Sequence, residues 1–420
     1  MPNFKKAGDF LLYADKIKKY ILENKEDLIQ LTSDLISIDT CNPPTNSGNK
    51  VFTSFVEDWA QAAHLDVKID CDYHENAENN PAIFVSIKGN TIGNTKDSYY
   101  LCFQGHYDTI TVVEGWKTDP HRPVLNGNCL YGLGATDMKG GIASKLFALK
   151  TLHDLKLPLK GPITILLTPN EEFHSGGPGL AEYLDVRGIP GKYIIVGEPS
   201  SLDEIHIGMK GAVWGDINIF GSSAHGSNPT LGNNAWEKAV DLMNDLRTNV
   251  YPRLKKLTSD YPITPKECNY STLMLGGLVK GSNLGRSVVP DKLQLSFDTR
   301  KIPDKNAVDP LLELQNALER LQSLDSSFEA KMNIVTRMNG YVLGESPFLH
   351  KVKNIVSKVT GINSALTVSS GAMDTFQFVE KGSLALALGP GRWKYAHRPN
   401  ELVEVSSLIQ CTQVYALLCI

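Results

Sequence analysis

The chain has 420 residues, 42% of them hydrophobic and 21% charged, which is the balance of a soluble globular protein long enough for two cores. Its net charge of −4 supplies no basic field, so neither nucleic acid nor an anionic membrane is expected as a partner. The seven cysteines (Cys41, Cys71, Cys102, Cys129, Cys268, Cys411 and Cys419) are scattered and contain no C-x-x-C. That argues against a disulfide framework and against a thiolate zinc site, and fits a reducing cytoplasm in which most are free, buried thiols.

Residues 1–21 read as an amphipathic helix with lysines spread along it, without the continuous apolar core of a signal peptide. Residues 81–88, 99–104, 162–168 and 193–197 read as strands rich in Val, Ile, Leu and aromatics, and 140–152 and 179–184 between them have helical spacing. This alternation predicts an α/β domain around a largely parallel sheet flanked by helices. The pattern changes after Pro199. Residues 214–220, 293–299 and 328–336 alternate as strands, while 233–247 and 308–324 are helical, which predicts a small two-layer α+β domain. From Asn339 the α/β character resumes, with 383–388 as a buried strand. The simplest organisation is a catalytic domain of residues 1–205 and 339–420 interrupted by an inserted domain of 206–338. The apolar run 402–420 is broken by Glu404, Ser406, Ser407, Gln410 and Gln413, so a packed terminal helix is expected there and not a membrane span.

Several polar residues follow the strands. His106 and Asp108 come directly after the strand 99–104; in extended chain, residues two apart face the same side, so one could bind a metal while the other fixes its tautomer. The segment from Gly132 to Gly141 resembles a dinucleotide loop only superficially, because Asp137 stands where the third glycine of G-x-G-x-x-G belongs. A carboxylate entering a helix between glycines suits a metal ligand, with a helix N-cap as the plain alternative. Glu171 and Glu172 after the strand 162–168 would repel one another unless a cation or proton compensates. Glu198 follows the strand 193–197, and His397 lies in Ala396-His397-Arg398-Pro399-Asn400-Glu401. Open α/β sheets place their sites at strand C-termini, and two histidines with three carboxylates suit two zinc ions sharing one carboxylate.

Taken in order from about residue 36 to 402, these segments closely resemble the metallopeptidase family that includes acetylornithine deacetylase, succinyl-diaminopimelate desuccinylase, aminoacylase and carboxypeptidase G. The resemblance implies two zinc ions per subunit, replaceable by cobalt: His106 and Glu198 on one, Glu172 and His397 on the other, and Asp137 bridging. It implies Glu171 as general base, Asp108 as partner of the His106 ring, and a cis peptide at Asp137–Met138. It also implies that the inserted domain is a lid through which a homodimer forms. His225, in Gly221-Ser222-Ser223-Ala224-His225-Gly226, would be an oxyanion donor acting across that dimer, and Arg300 would pair with the substrate carboxylate. Two positions depart from the family pattern: Tyr107 replaces a small residue, and Ser287 stands where a substrate-binding asparagine is common. The implied substrate is a small N-acyl amino acid, first acetylornithine, then succinyl-diaminopimelate, then aminoacylase or carboxypeptidase substrates. A non-catalytic binding protein on the same fold would lack a ligand or Glu171, and all are present.

Overall fold

Runs of Val, Ile, Leu and Ala punctuated by glycine and proline form the central strands. In the computed structural model, which describes residues 7–41, 48–87, 101–172, 179–282 and 285–420, Ile163–Thr168, Leu101–His106, Tyr193–Val196 and Leu384–Ala387 lie side by side, all parallel. They are buried almost throughout, as parallel strands covered on both faces must be. Antiparallel strands flank them: Ala82–Ser86 beside Ile163–Thr168, then Asp66–Asp70, and on the other side Glu204–Met209. Residues 88, 99 and 100 of the expected strands, and 1–6 of the expected first helix, lie outside the described residues.

The chain divides into two compact units. The first comprises Met1–Ile207, Leu343–Leu366 and Met373–Ile420. Its helices Gly140–Asp154 and Val405–Leu418 pack together, and both are buried nearly all round. The end of the chain is thus a core helix, entered through the short strand Leu402–Glu404. Among the described residues, no helix is long and apolar enough to cross a membrane.

The second unit comprises Gly208–Val342 and Thr367–Ala372. Its antiparallel sheet runs in the order Thr272–Gly281, Lys292–Lys301, Gly211–Phe220, Glu329–Met338. Alternate residues Ile217, Ile219, Leu293, Leu295 and Phe297 face the helices Ala235–Asp245 and Pro310–Leu324 and form the core with Leu242, Leu311 and Leu314. The second helix starts sharply because Pro310 occupies its first turn and the Asp309 carboxylate caps the amides of Leu311 and Leu312. All seven cysteines are unpaired; Cys102, Cys411 and Cys419 are buried, and the other four are only half-buried.

The large residue Tyr107 has a structural explanation. Its ring is fully buried and stacked on Phe52 at 4.9 Å, and its hydroxyl donates to the Pro81 carbonyl at 2.9 Å. Tyr107→Phe leaves that carbonyl without its donor and is expected to cost about 1 kcal/mol, read as a lower urea midpoint at unchanged m-value.

Candidate metal centre

The ligand candidates sit where adjacent parallel strands end. His106 is the last residue of its strand, Glu171 and Glu172 follow Ile163–Thr168, and Glu198 follows Tyr193–Val196. Asp137 comes from the turn that leads into the helix Gly140–Asp154. Two glycines make that turn possible: Gly134 has a left-handed φ of 80°, and a Cβ on Gly141 would stand 2.6 Å from the Gly197 carbonyl oxygen. The helix start is therefore pressed against the strand end that carries Glu198. The peptide Asp137–Met138 is cis. His397 has a left-handed φ of 58°, uncommon outside glycine, and its ring turns toward Asp137 and Glu172.

Two donor groups result, each with its atoms within 4.8 Å of one another: His106, Asp137 and Glu198, and Asp137, Glu172 and His397. Asp137 belongs to both. Its Oδ1 lies 3.2 Å from His106 Nε2, while its Oδ2 lies 3.5 Å from His397 Nε2. His106 Nε2 is also 3.5 Å from Glu198 Oε1, and His397 Nε2 is 2.9 Å from Glu172 Oε2. Ligand atoms about 2.0–2.1 Å from a tetrahedral ion stand about 3.3 Å apart, so this spacing fits two such ions. Glu198 Oε1 is buried without a hydrogen-bond donor, as an oxygen reserved for a cation would be.

The electrostatics point the same way. Burial, reinforced by the charge of Asp137, raises the Glu198 carboxyl and pushes Glu172 up to about 7. Burial also lifts Glu171 well above its ordinary value, helped by Glu198, Asp374 and Glu172 and opposed by His106. Burial disfavours the imidazolium of His106, but Asp108, Asp137 and Glu198 outweigh it and raise that ring. Negative charge is crowded here beyond what two histidines relieve, and divalent cations would relieve it.

Asp108 lies beside the His106 ring and has a further contact that alternation did not foresee. The strand ends at His106, so the two-residue alternation does not extend to Asp108. His106 Nδ1 is 3.0 Å from the Asp108 main-chain carbonyl and 3.5 Å from its carboxylate. The carboxylate also accepts the amides of Glu171 and Glu172 at 3.2 and 3.1 Å, which anchors the turn carrying both glutamates.

Sequence reading assigned no role to Glu401 or Asp374. The buried Glu401 carboxylate accepts the amides of Gly134, Thr136 and Asp137 at 3.1, 2.8 and 2.9 Å and so holds the Asp137 turn. Burial and the Asp137 charge push it up to about 8 against those amides. Glu401→Ala orphans three donors and is expected to cost roughly 3 kcal/mol or more, measured by urea unfolding. Asp374 is buried and accepts from Gln104 at 2.7 Å and Gln377 at 3.0 Å. No local pattern marks Asp374, which stands between Met373 and Thr375, whereas Glu401 ends the segment Ala396-His397-Arg398-Pro399-Asn400-Glu401.

His225, Ser287 and Arg300 belong to the second unit. His225 is exposed, and its Nδ1 accepts the Ser227 amide at 3.1 Å, which places the ring proton on Nε2. The exposed Ser287 runs beside it, its carbonyl accepting the Gly226 amide at 2.6 Å. Arg300 is held by Asp298 through Nε at 2.7 Å and Nη2 at 3.0 Å and lies over Trp214.

Comparisons with known proteins agree with this geometry. A family model described as peptidase family M20/M25/M40 matches residues 102–420. Succinyl-diaminopimelate desuccinylase of Shewanella piezotolerans is 28% identical over 325 residues, covering 75% of this chain and 80% of that protein. Among solved structures, aminopeptidase PepT of Bacillus cereus superposes with a TM-score of 0.72 at 18% identity, covering 94% of this chain and 98% of that one. A dinuclear metal-binding M20 peptidase of Bacillus subtilis gives a TM-score of 0.63 at 14% identity, covering 94% and 97%.

Proposed function

Because the chain belongs to peptidase family M20/M25/M40, metal-dependent hydrolases of amide or peptide bonds, we propose that it deacylates an N-acyl amino acid with two zinc ions. The observation that carries this reading is the division of Asp137, one oxygen toward His106 and the other toward His397. His106 and Glu198 would hold one ion and His397 and Glu172 the other, with Asp137 shared. When bound, such a pair polarises the amide carbonyl and lowers the pKa of the attacking water toward about 7.

Glu171 takes the proton from that water and later delivers it to the leaving amine; burial and the neighbouring carboxylates raise its carboxyl well above the ordinary value, which favours a group that accepts and returns a proton. Asp108 keeps Glu171 and Glu172 in place through their amides. His225, with its proton on Nε2, donates to the oxyanion, and the second unit serves as the lid and dimerisation domain, so that His225 acts from the partner chain. On the family resemblance, Arg300 pairs with the substrate carboxylate and Ser287 helps bind the acyl amino acid; the Asp298 contact leaves the Arg300 Nη1 end for that pairing.

Acetylornithine is the first substrate choice, on the resemblance of the segment 389–401 to the deacetylase and desuccinylase branch. Succinyl-diaminopimelate is second, favoured by the desuccinylase relative. Hydrolysis of N-acetylornithine, succinyl-diaminopimelate and acetylated neutral amino acids, with zinc, cobalt and chelator arms, tests the proposal. Turnover of N-acetylornithine above the others, abolished by chelator and restored by zinc or cobalt, is the expected result. Cleavage of none of them overturns it.

A further inference from the structure

Among the described residues, one more set of donors converges outside the centre just described. Asp39 Oδ1, Cys41 Sγ and a ring nitrogen of His121 all lie within 4.8 Å of one another. His121 Nε2 stands 3.7 Å from Asp39 Oδ1 and 4.0 Å from Cys41 Sγ. The residues come from two separate segments, one following the helix Lys25–Ser37 and one in the loop before Val124–Asn126. The spacing in sequence therefore hid the set, and the lack of a C-x-x-C pair argued against looking for a thiolate site.

The geometry separates two chemistries. In a nucleophilic Cys–His–Asp relay the carboxylate and the thiol contact opposite ring nitrogens of the histidine. Here a single nitrogen, Nε2, faces both, while Nδ1 is buried with no hydrogen-bond partner. Burial together with Asp39 also pushes the Cys41 thiol up to about 11, which opposes a free thiolate nucleophile. Three different donors gathered this closely, with Asp39 Oδ1 held by the Cys41 amide at 2.9 Å, are instead the arrangement of a chelate. Sulfur about 2.3 Å and nitrogen or oxygen about 2.0–2.1 Å from a tetrahedral ion stand about 3.3–3.6 Å apart, so the 3.7 and 4.0 Å separations from His121 Nε2 close with side-chain shifts of a few tenths of an ångström.

We propose that Asp39, Cys41 and His121 form a third metal site, for a divalent transition ion such as zinc or cobalt, distinct from the shared-carboxylate pair. Sulfur selects against magnesium and calcium. Binding displaces the Cys41 proton to solvent and forms one metal–sulfur, one metal–nitrogen and one metal–oxygen bond, with the fourth position left to water. The Asp39 and His121 side chains are 45% and 21% exposed, so the ion enters from solvent. The site would act on the frame of the hydrolytic centre. The Pro120 carbonyl next to His121 accepts the Leu133 amide at 2.9 Å, and the Ile38 carbonyl next to Asp39 accepts Lys139 Nζ at 2.7 Å. Both contacts brace the turn that carries Asp137, and Cys41 pairs with Thr109, three residues beyond His106. An ion here ties those supports together.

Cobalt(II) is the probe. The ligands proposed for the main centre include no sulfur, so a thiolate-to-cobalt charge-transfer band in the near ultraviolet reports the third site alone. Titrating the metal-depleted chain with cobalt is expected to produce that band and to bind one more cobalt than Cys41→Ser binds. Cys41→Ser should lose the band, and His121→Ala should weaken the extra binding at least about tenfold. Absence of the band in the wild type, or its persistence in Cys41→Ser, overturns the proposal, as does extra cobalt retained by both variants. Failure of the two-ion reading would lower the sulfur-free cobalt count and leave the band intact, so the two failures are distinguishable.

Discussion

Glu171→Gln retains its metal and its fold and loses about 10²- to 10⁴-fold in kcat, the usual contribution of a general acid–base residue. The amide of residue 171 bonds to Asp108 through the main chain, so replacing the side chain leaves that anchor intact. Glutamine keeps the shape but neither accepts the proton of the attacking water nor returns it to the leaving amine. KM should change little, because Glu171 is not assigned to substrate binding. Metal content measured alongside steady-state kinetics checks this: unchanged metal with collapsed kcat is expected, and near wild-type turnover removes Glu171 from the mechanism.

Asp137→Ala acts one step earlier. Each oxygen of Asp137 faces a different histidine, so one substitution takes a ligand from both groups. Loss of partners one shell further out commonly costs 10–100-fold in metal affinity, and a shared direct ligand should cost more than about 100-fold at each position. Activity falls below detection at ordinary metal concentrations. Stability separates this from misfolding. Ligands that bind only the native state stabilise it by RT ln(1 + [L]/Kd), so added zinc should raise the melting temperature of the wild type and barely move that of Asp137→Ala. Metal-free melting temperatures should stay close.

The central strands were legible because their signal is local: runs such as Ile163–Thr168 are apolar throughout and end in turn residues. The candidate ligands His106, Glu172 and Glu198 could be read because they end or follow those strands, and strand ends are where open α/β sheets build sites. What escaped was nonlocal. Glu401 reaches back more than 260 residues to the Gly134–Asp137 amides, and no spacing rule encodes that distance. The bonds from the glutamate amides to the Asp108 carboxylate were not foreseen, because the strand stops two residues before Asp108 and alternation says nothing of what lies past its end. The exposed edge strand Glu329–Met338 and the half-buried Lys292–Lys301 announced themselves by period-two alternation, whereas Thr272–Gly281, with its bulge between Leu275 and Val279, lacks that regularity. His121 joins Asp39 and Cys41 from 80 residues beyond Cys41, through tertiary folding alone.

The central claim is that one carboxylate joins two metal positions. Crystals of the zinc-loaded protein, with anomalous difference maps recorded on both sides of the zinc absorption edge, test it most directly. The account predicts one peak bounded by His106, Asp137 and Glu198 and a second bounded by Asp137, Glu172 and His397. Zinc absent from these positions, or a single ion that Asp137 does not touch, would contradict it.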